Sequence, residues 1–214
     1  MQPITRHITR PAPFLLTFFL LLAGCASTGM ERSDEATTTM QTVENDIQRI
    51  VVQLNATGQS LDNLVSPAQT DVKKAFDSFA ENVEKIDTME KSFSAHADKM
   101  QARGKDYFAE WKKEGTEYSN PEIQALSDHR RMNLSAVYGQ IATNSAGVKT
   151  AFRTYVSDVQ EIRTYLSTDL TSKGLDAIAE VSRKVVRDGA DLKYAIKNVQ
   201  SAIETAKNEM AQTR

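Results

Sequence analysis

Residues 40–64 read MQTVENDIQRIVVQLNATGQSLDNL, and their spacing decides the fold. Met40, Val43, Ile47, Ile50, Leu54, Thr57, Leu61 and Leu64 follow one another at alternating steps of three and four. Side chains so spaced fall on one stripe of an α-helix. A stripe kept over several heptads is the seam of a helix packed lengthwise on a neighbour. Only Thr57 is polar in this one.

The rhythm resumes after each of three breaks. Ser66-Pro67 ends the first run, and Pro67 suits the first turn of a second helix. That helix carries Val72, Phe76, Phe79, Val83, Ile86, Met89, Phe93, Met100, Tyr107 and Trp111, and runs to about Tyr118. Ser119-Asn120-Pro121 is a turn in which Asn120 is a capping residue. The third run holds Ile123, Leu126, Leu134, Val137, Ile141, Val148, Phe152, Tyr155, Val159, Ile162, Leu166 and Leu170. Lys173-Gly174 closes it, with Gly174 placed for a C-terminal cap. The fourth run holds Leu175, Ile178, Val181, Val185, Leu192, Ile196, Val199, Ile203 and Met210. No stretch alternates with period two for long enough to make a strand. The chain is therefore expected to be all-α, an elongated antiparallel four-helix bundle with coiled-coil seams over residues 35–214.

The runs are unequal. The second and third cover about 50 residues, or about 75 Å, against about 35 residues for the outer two. In up-down-up-down order the stretch from Lys105 to Leu134 should then protrude as a hairpin of helices two and three, on the side where the N-terminus emerges.

Ahead of the bundle lie Arg6 and Arg10, an apolar run from Phe14 to Leu22, and Leu22-Ala23-Gly24-Cys25. A basic start followed by a short apolar stretch reads as a secretory signal over residues 1–24, too short to span a bilayer. Leu22-Ala23-Gly24-Cys25 resembles the lipobox of bacterial lipoproteins. The resemblance implies cleavage before Cys25, lipid on its thiol and amino group, and a membrane anchor facing the periplasm. Ala26, where inner-membrane retention uses Asp, implies the outer membrane. Residues 25–34 then read as a polar tether. Cys25 is the only cysteine, so no intramolecular disulfide can form. Without Arg6 and Arg10 the basic side chains fall from 26 to 24 against 28 acidic ones. This mild acidity argues against nucleic acid and against a polybasic membrane patch.

Little in the chain points to catalysis. The mature sequence has two histidines, His96 and His129, and three residues before them stand Phe93 and Leu126 rather than the glutamates of a carboxylate-bridged metal bundle. No metal or cofactor site is expected, nor a phosphate loop, and consecutive Ser127-Asp128-His129 cannot converge on one helix face. Pairing across the Asn120 turn sets Phe93 opposite Gly147 and His96 near Asn144, a polar layer suited to fixing register. The densest patch is the hairpin end. Trp111, Tyr118, Arg130 and Arg131 there have the chemistry of interface anchors, although the spacing of Tyr107, Trp111 and Tyr118 equally suits packing across the tip.

That patch carries a resemblance. Glu110-Trp111-x-x-Glu114, then Tyr118-Ser119-Asn120, then Ser127, is similar to the signature of a proteobacterial family of helical proteins of unknown function. Asp169-Leu170 with the restart at Gly174-Leu175 resembles that family's third-to-fourth helix junction. The chain departs from the pattern in lacking a proline within the third helix. The resemblance implies the fold and an envelope location, and no mechanism.

The expected role is a non-enzymatic scaffold or adaptor, lipid-anchored at Cys25, that binds a protein partner or itself through helix–helix contacts. The alternative is a carrier of a lipid or other apolar ligand in the bundle core, since Gly139, Gly147 and Ala151 could thin one seam.

Overall fold

A computed structural model describes residues 28–115 and 118–211, and its elements are four long helices. They are α1 (Gly29–Leu64), α2 (Val72–Gly115), α3 (Pro121–Thr168) and α4 (Ser172–Ala211). Each packs on two others: α1 and α3 both lie against α2 and α4, and the diagonal pairs do not meet. All neighbours are antiparallel. Glu84 of α2 meets Arg163 of α3 while Met100 meets Tyr138. The core is a single apolar column from end to end. Every member of the seam from Met40 to Leu64 is buried, and the Thr57 hydroxyl donates to the Gln53 carbonyl at 2.8 Å. The all-α bundle read from the seams is thus the observed fold.

The helix ends differ from expectation, each for a local reason. Pro67 lies in the loop between α1 and α2. The first turn of α2 is capped by Asp71, whose Oδ1 accepts from the Lys74 amide at 3.0 Å. Asn120 does cap α3, its side chain accepting from the Glu122 amide at 2.9 Å, with Pro121 behind it. Gly174 is not a C-cap. It sits inside α4 at ordinary helical φ, where a Cβ would collide with the Asp169 carbonyl. Glycine is needed there for close approach, while Thr171 accepts from its amide at 3.1 Å.

The largest departure is at the start of α1. Thr28 and Glu31 form a capping box, Glu31 N to Thr28 Oγ1 at 3.2 Å and Thr28 N to Glu31 Oε2 at 2.7 Å. Two otherwise orphaned donors are satisfied reciprocally, so the helix begins at Gly29. Residues 29–34, read as tether, are helical. The expected hairpin shortens as a result: α1 reaches Glu114 through Arg32, and α4 reaches Arg130 through Glu209. Only the Asn120 turn and the first two turns of α3 stand beyond the four-helix body.

The stretch over residues 1–24 expected to be a secretory signal, Cys25 and Ala26 lie outside the described residues. Among the described residues no helix is long and apolar enough to cross a membrane.

Candidate functional site

The hairpin end draws three features together: the start of α1, the end of α4 and the α2–α3 tip. Arg32 is the fastener. It is 8 % exposed, and its guanidinium holds Glu110 at 3.2 Å and Glu114 at 2.5 Å. Two carboxylates balance one enclosed cation, which fixes the first turn of α1 against α2. Across the bundle Arg130 clamps α3 to α4, with Nη1 on Glu209 Oε2 at 2.9 Å and Nη2 on the Glu209 carbonyl. Tyr107 packs in this region, and burial pushes its phenol up against the opposing pull of Arg130 and Arg32.

The four residues expected to anchor a partner are now placed. Trp111 is half-buried, edge-on to Tyr107 with ring centroids 5.7 Å apart, and its Nε1 donates to Ser127 Oγ at 3.0 Å. Arg130 is the α3–α4 clamp. Arg131 is paired with Asp128 at 2.5 Å. Asp128 accepts from Gln124 as well, and that bond first, then Arg131, holds its carboxyl below the usual range. Tyr118 alone of the four is well exposed. Three of the four therefore have partners within the chain. Packing across the tip, the second reading their spacing allowed, describes Trp111.

A cleft of about 660 Å³ opens between these elements, lined by Met30, Arg32, Tyr107, Trp111, Tyr118 and Met210 among others. Beyond it the apolar period of α3 runs on past the end of α4. Ile123 and Leu126 keep the spacing but are 48 % and 71 % exposed.

Elsewhere the polar residues act within the fold. His96 does not meet Asn144. Its Nδ1 lies 2.6 Å from Asp46 of α1, a carboxylate 3 % exposed that also accepts from Arg49 at 2.5 Å. Asn144 reaches the Asn198 carbonyl of α4 instead. The Asp46 cleft includes Thr88 and Ser92, but each hydroxyl donates to a carbonyl one turn back, Glu84 and Thr88 respectively. The Asp–His pair thus joins α1 to α2 in a set register. Among the described residues no group of three or more His, Cys, Asp or Glu side chains could hold a metal. Phe93 packs on Phe152 at 6.3 Å rather than on Gly147. Gly139, Gly147 and Ala151 are exposed, with open space around the two glycines. They thin the outer surface of α3, so the seam that suggested a core cavity does not exist.

Sequence reasoning missed Arg32, which belongs to no seam, and the socket at Gly104. There the Tyr138 ring lies where a Cβ would stand, and its hydroxyl donates to the Met100 carbonyl at 2.7 Å. The only available signal was a glycine on the second-helix seam.

No curated protein and no solved structure matches the chain. A family model does match, over residues 25–213, so the chain belongs to the family described as Protein of unknown function (DUF2959).

Proposed function

We propose that this protein is a bacterial lipoprotein anchored through Cys25 in the outer membrane and facing the periplasm. There it acts without catalysis as a rigid scaffold or adaptor through helix–helix contacts. The reading is carried by one observation. A helical body about 55–70 Å long, at 1.5 Å per residue, begins four residues after Cys25. An anchor so close to a stiff body fixes one end at the bilayer and presents the long faces of the helices to a partner. The outer face of α3 suits close helix contact, because Gly139, Gly147 and Ala151 let another backbone approach.

The test is photocrosslinking in intact cells from position 147, with Cys25→Ala as the control for anchoring. A discrete crosslinked protein supports an adaptor, and crosslinks between copies support a self-associating scaffold. A site that crosslinks to neither sinks both forms.

The second reading, a carrier of a lipid or other apolar ligand, is favoured by the cleft between Met30, Trp111 and Met210 rather than by the core. Native mass spectrometry of the membrane-extracted protein tests it. A bound lipid lost on Met210→Glu supports a carrier, and ligand-free protein removes it.

A further inference from the structure

The α2–α3 tip overhangs the rest of the molecule by a length that can be read from the ion pairs. Arg32, three residues into α1, is level with Glu110 and Glu114, and Glu209, two residues before the end of α4, is level with Arg130. Residues 121–127 of α3, with Tyr118 to Asn120 before them, therefore lie beyond both outer helices, by about 10 Å at 1.5 Å per residue. The overhang carries an apolar patch. Tyr118, Ile123 and Leu126 are exposed on it, and Met30 is 62 % exposed at the adjoining start of α1. Four of the nine exposed large apolar side chains among the described residues gather at this one end.

The link to the anchor is equally short. Cys25 and Thr28 are three residues apart, a reach of about 10 Å fully extended. A free tether over residues 25–34 would let the tip hang clear of any surface. The Thr28 cap removes that slack. An upright body with Cys25 in the bilayer surface brings the tip to that surface at full stretch of the link and past it at any shorter one.

We infer that the hairpin tip docks on a phospholipid bilayer, with Tyr118, Ile123 and Leu126 at the boundary between headgroups and acyl chains. This rests on the lipid anchor at Cys25 proposed above. Tyrosine suits that depth because its ring is apolar and its hydroxyl wet. Charges of both signs surround the patch, Lys112, Lys113 and Arg131 with Glu114, Glu122 and Asp128. Docking is therefore driven by apolar burial. It needs no anionic lipid and is insensitive to salt.

The chain's cysteine usage supplies the experiment. With Cys25 acylated, Leu126→Cys carries the only free thiol and takes a nitroxide label at the tip. Val52→Cys, exposed on the body, is the reference. Both full-length lipoproteins are reconstituted in phosphatidylcholine vesicles. Their collision rates with oxygen, which concentrates in lipid, and with a neutral nickel chelate, which stays in water, are compared. The ratio of oxygen to nickel collisions should be several-fold higher at position 126 than at position 52, and adding Ile123→Glu should at least halve it. An aqueous ratio at position 126 in membrane-bound protein overturns the docked tip and leaves the anchor standing. Spin–spin broadening at 126 with an aqueous ratio assigns the tip to a second copy instead. A wild-type chain that itself takes label shows Cys25 unmodified, which ends the anchor reading and the docking with it.

Discussion

Gly104 and Gly147 show how far a residue's role depends on what faces it. At Gly104 a Cβ would enter the Tyr138 ring, whose hydroxyl is already fixed on the Met100 carbonyl. Gly104→Ala should destabilise the bundle by about 1–3 kcal/mol in thermal or urea unfolding, as overpacked sites do. Gly147 is exposed with open space around it, so Gly147→Ala should raise stability by about 0.5–1 kcal/mol through helix propensity alone. Tyr138 also links stability to pH. Burial pushes its phenol from 10.0 to about 12, and burial moves Tyr155 in the same direction. A proton held more tightly in the folded state stabilises fully below pH 10, and that contribution is lost as pH rises through about 12. Alkaline unfolding curves should show this loss, and Tyr138→Phe should flatten it while costing about 1 kcal/mol at neutral pH for the hydrogen bond. The seam from Met40 to Leu64 was legible because burial repeats with the helix. The socket at Gly104 was not, because its partner Tyr138 belongs to another helix, and spacing along one helix does not show which residue of the next will meet it.

Helix ends were less legible than helix faces, since an end is set by a few hydrogen bonds rather than by a repeat. Thr28 and Glu31 formed a capping box in a stretch whose polarity alone read as tether. Thr28→Ala should cost about 1 kcal/mol. Hydrogen exchange should show the loss confined to the first turns of α1, stopping near Ala36, where the core begins. Proline suits a helix's first turn and a loop alike, and glycine a cap and a close approach alike, so Pro67 and Gly174 do not mark their helix ends by residue type alone. In α3 the period persists from Leu126 to Leu166 although α4 ends near Arg130, so the sequence could not tell which apolar residues would be covered. Trp111 and Arg130 were found as a cluster, but chemistry alone could not separate anchors for a partner from anchors for the chain itself. The pairings that do so join residues far apart in sequence, Arg130 to Glu209 and Arg32 to Glu114.

At the scale of the whole molecule, the arrangement makes the proposed lipoprotein a post of fixed height. The start of α1 and the hairpin tip share one end, and the loop at residues 65–71 and the turn at residues 169–171 share the other. With Cys25 in the bilayer, the far loops stand about 55–65 Å away, from 36 residues of α1 at 1.5 Å each and the short link before them. Two contacts at the near end, the acylated cysteine and the apolar tip, resist tilting in a way that one flexible anchor does not. Energy transfer to an acceptor lipid should therefore be strong from a donor on Leu126→Cys and weak from one on Ala68→Cys, which is exposed in the far loop. Ten flexible residues inserted after Ser27 should abolish the contrast, because the added slack frees the body to lie down. Equal transfer from both positions without the insertion would mean that the bundle lies along the membrane. The faces of α3 and α4 would then have to be sought as lipid contacts rather than as surfaces for a periplasmic partner.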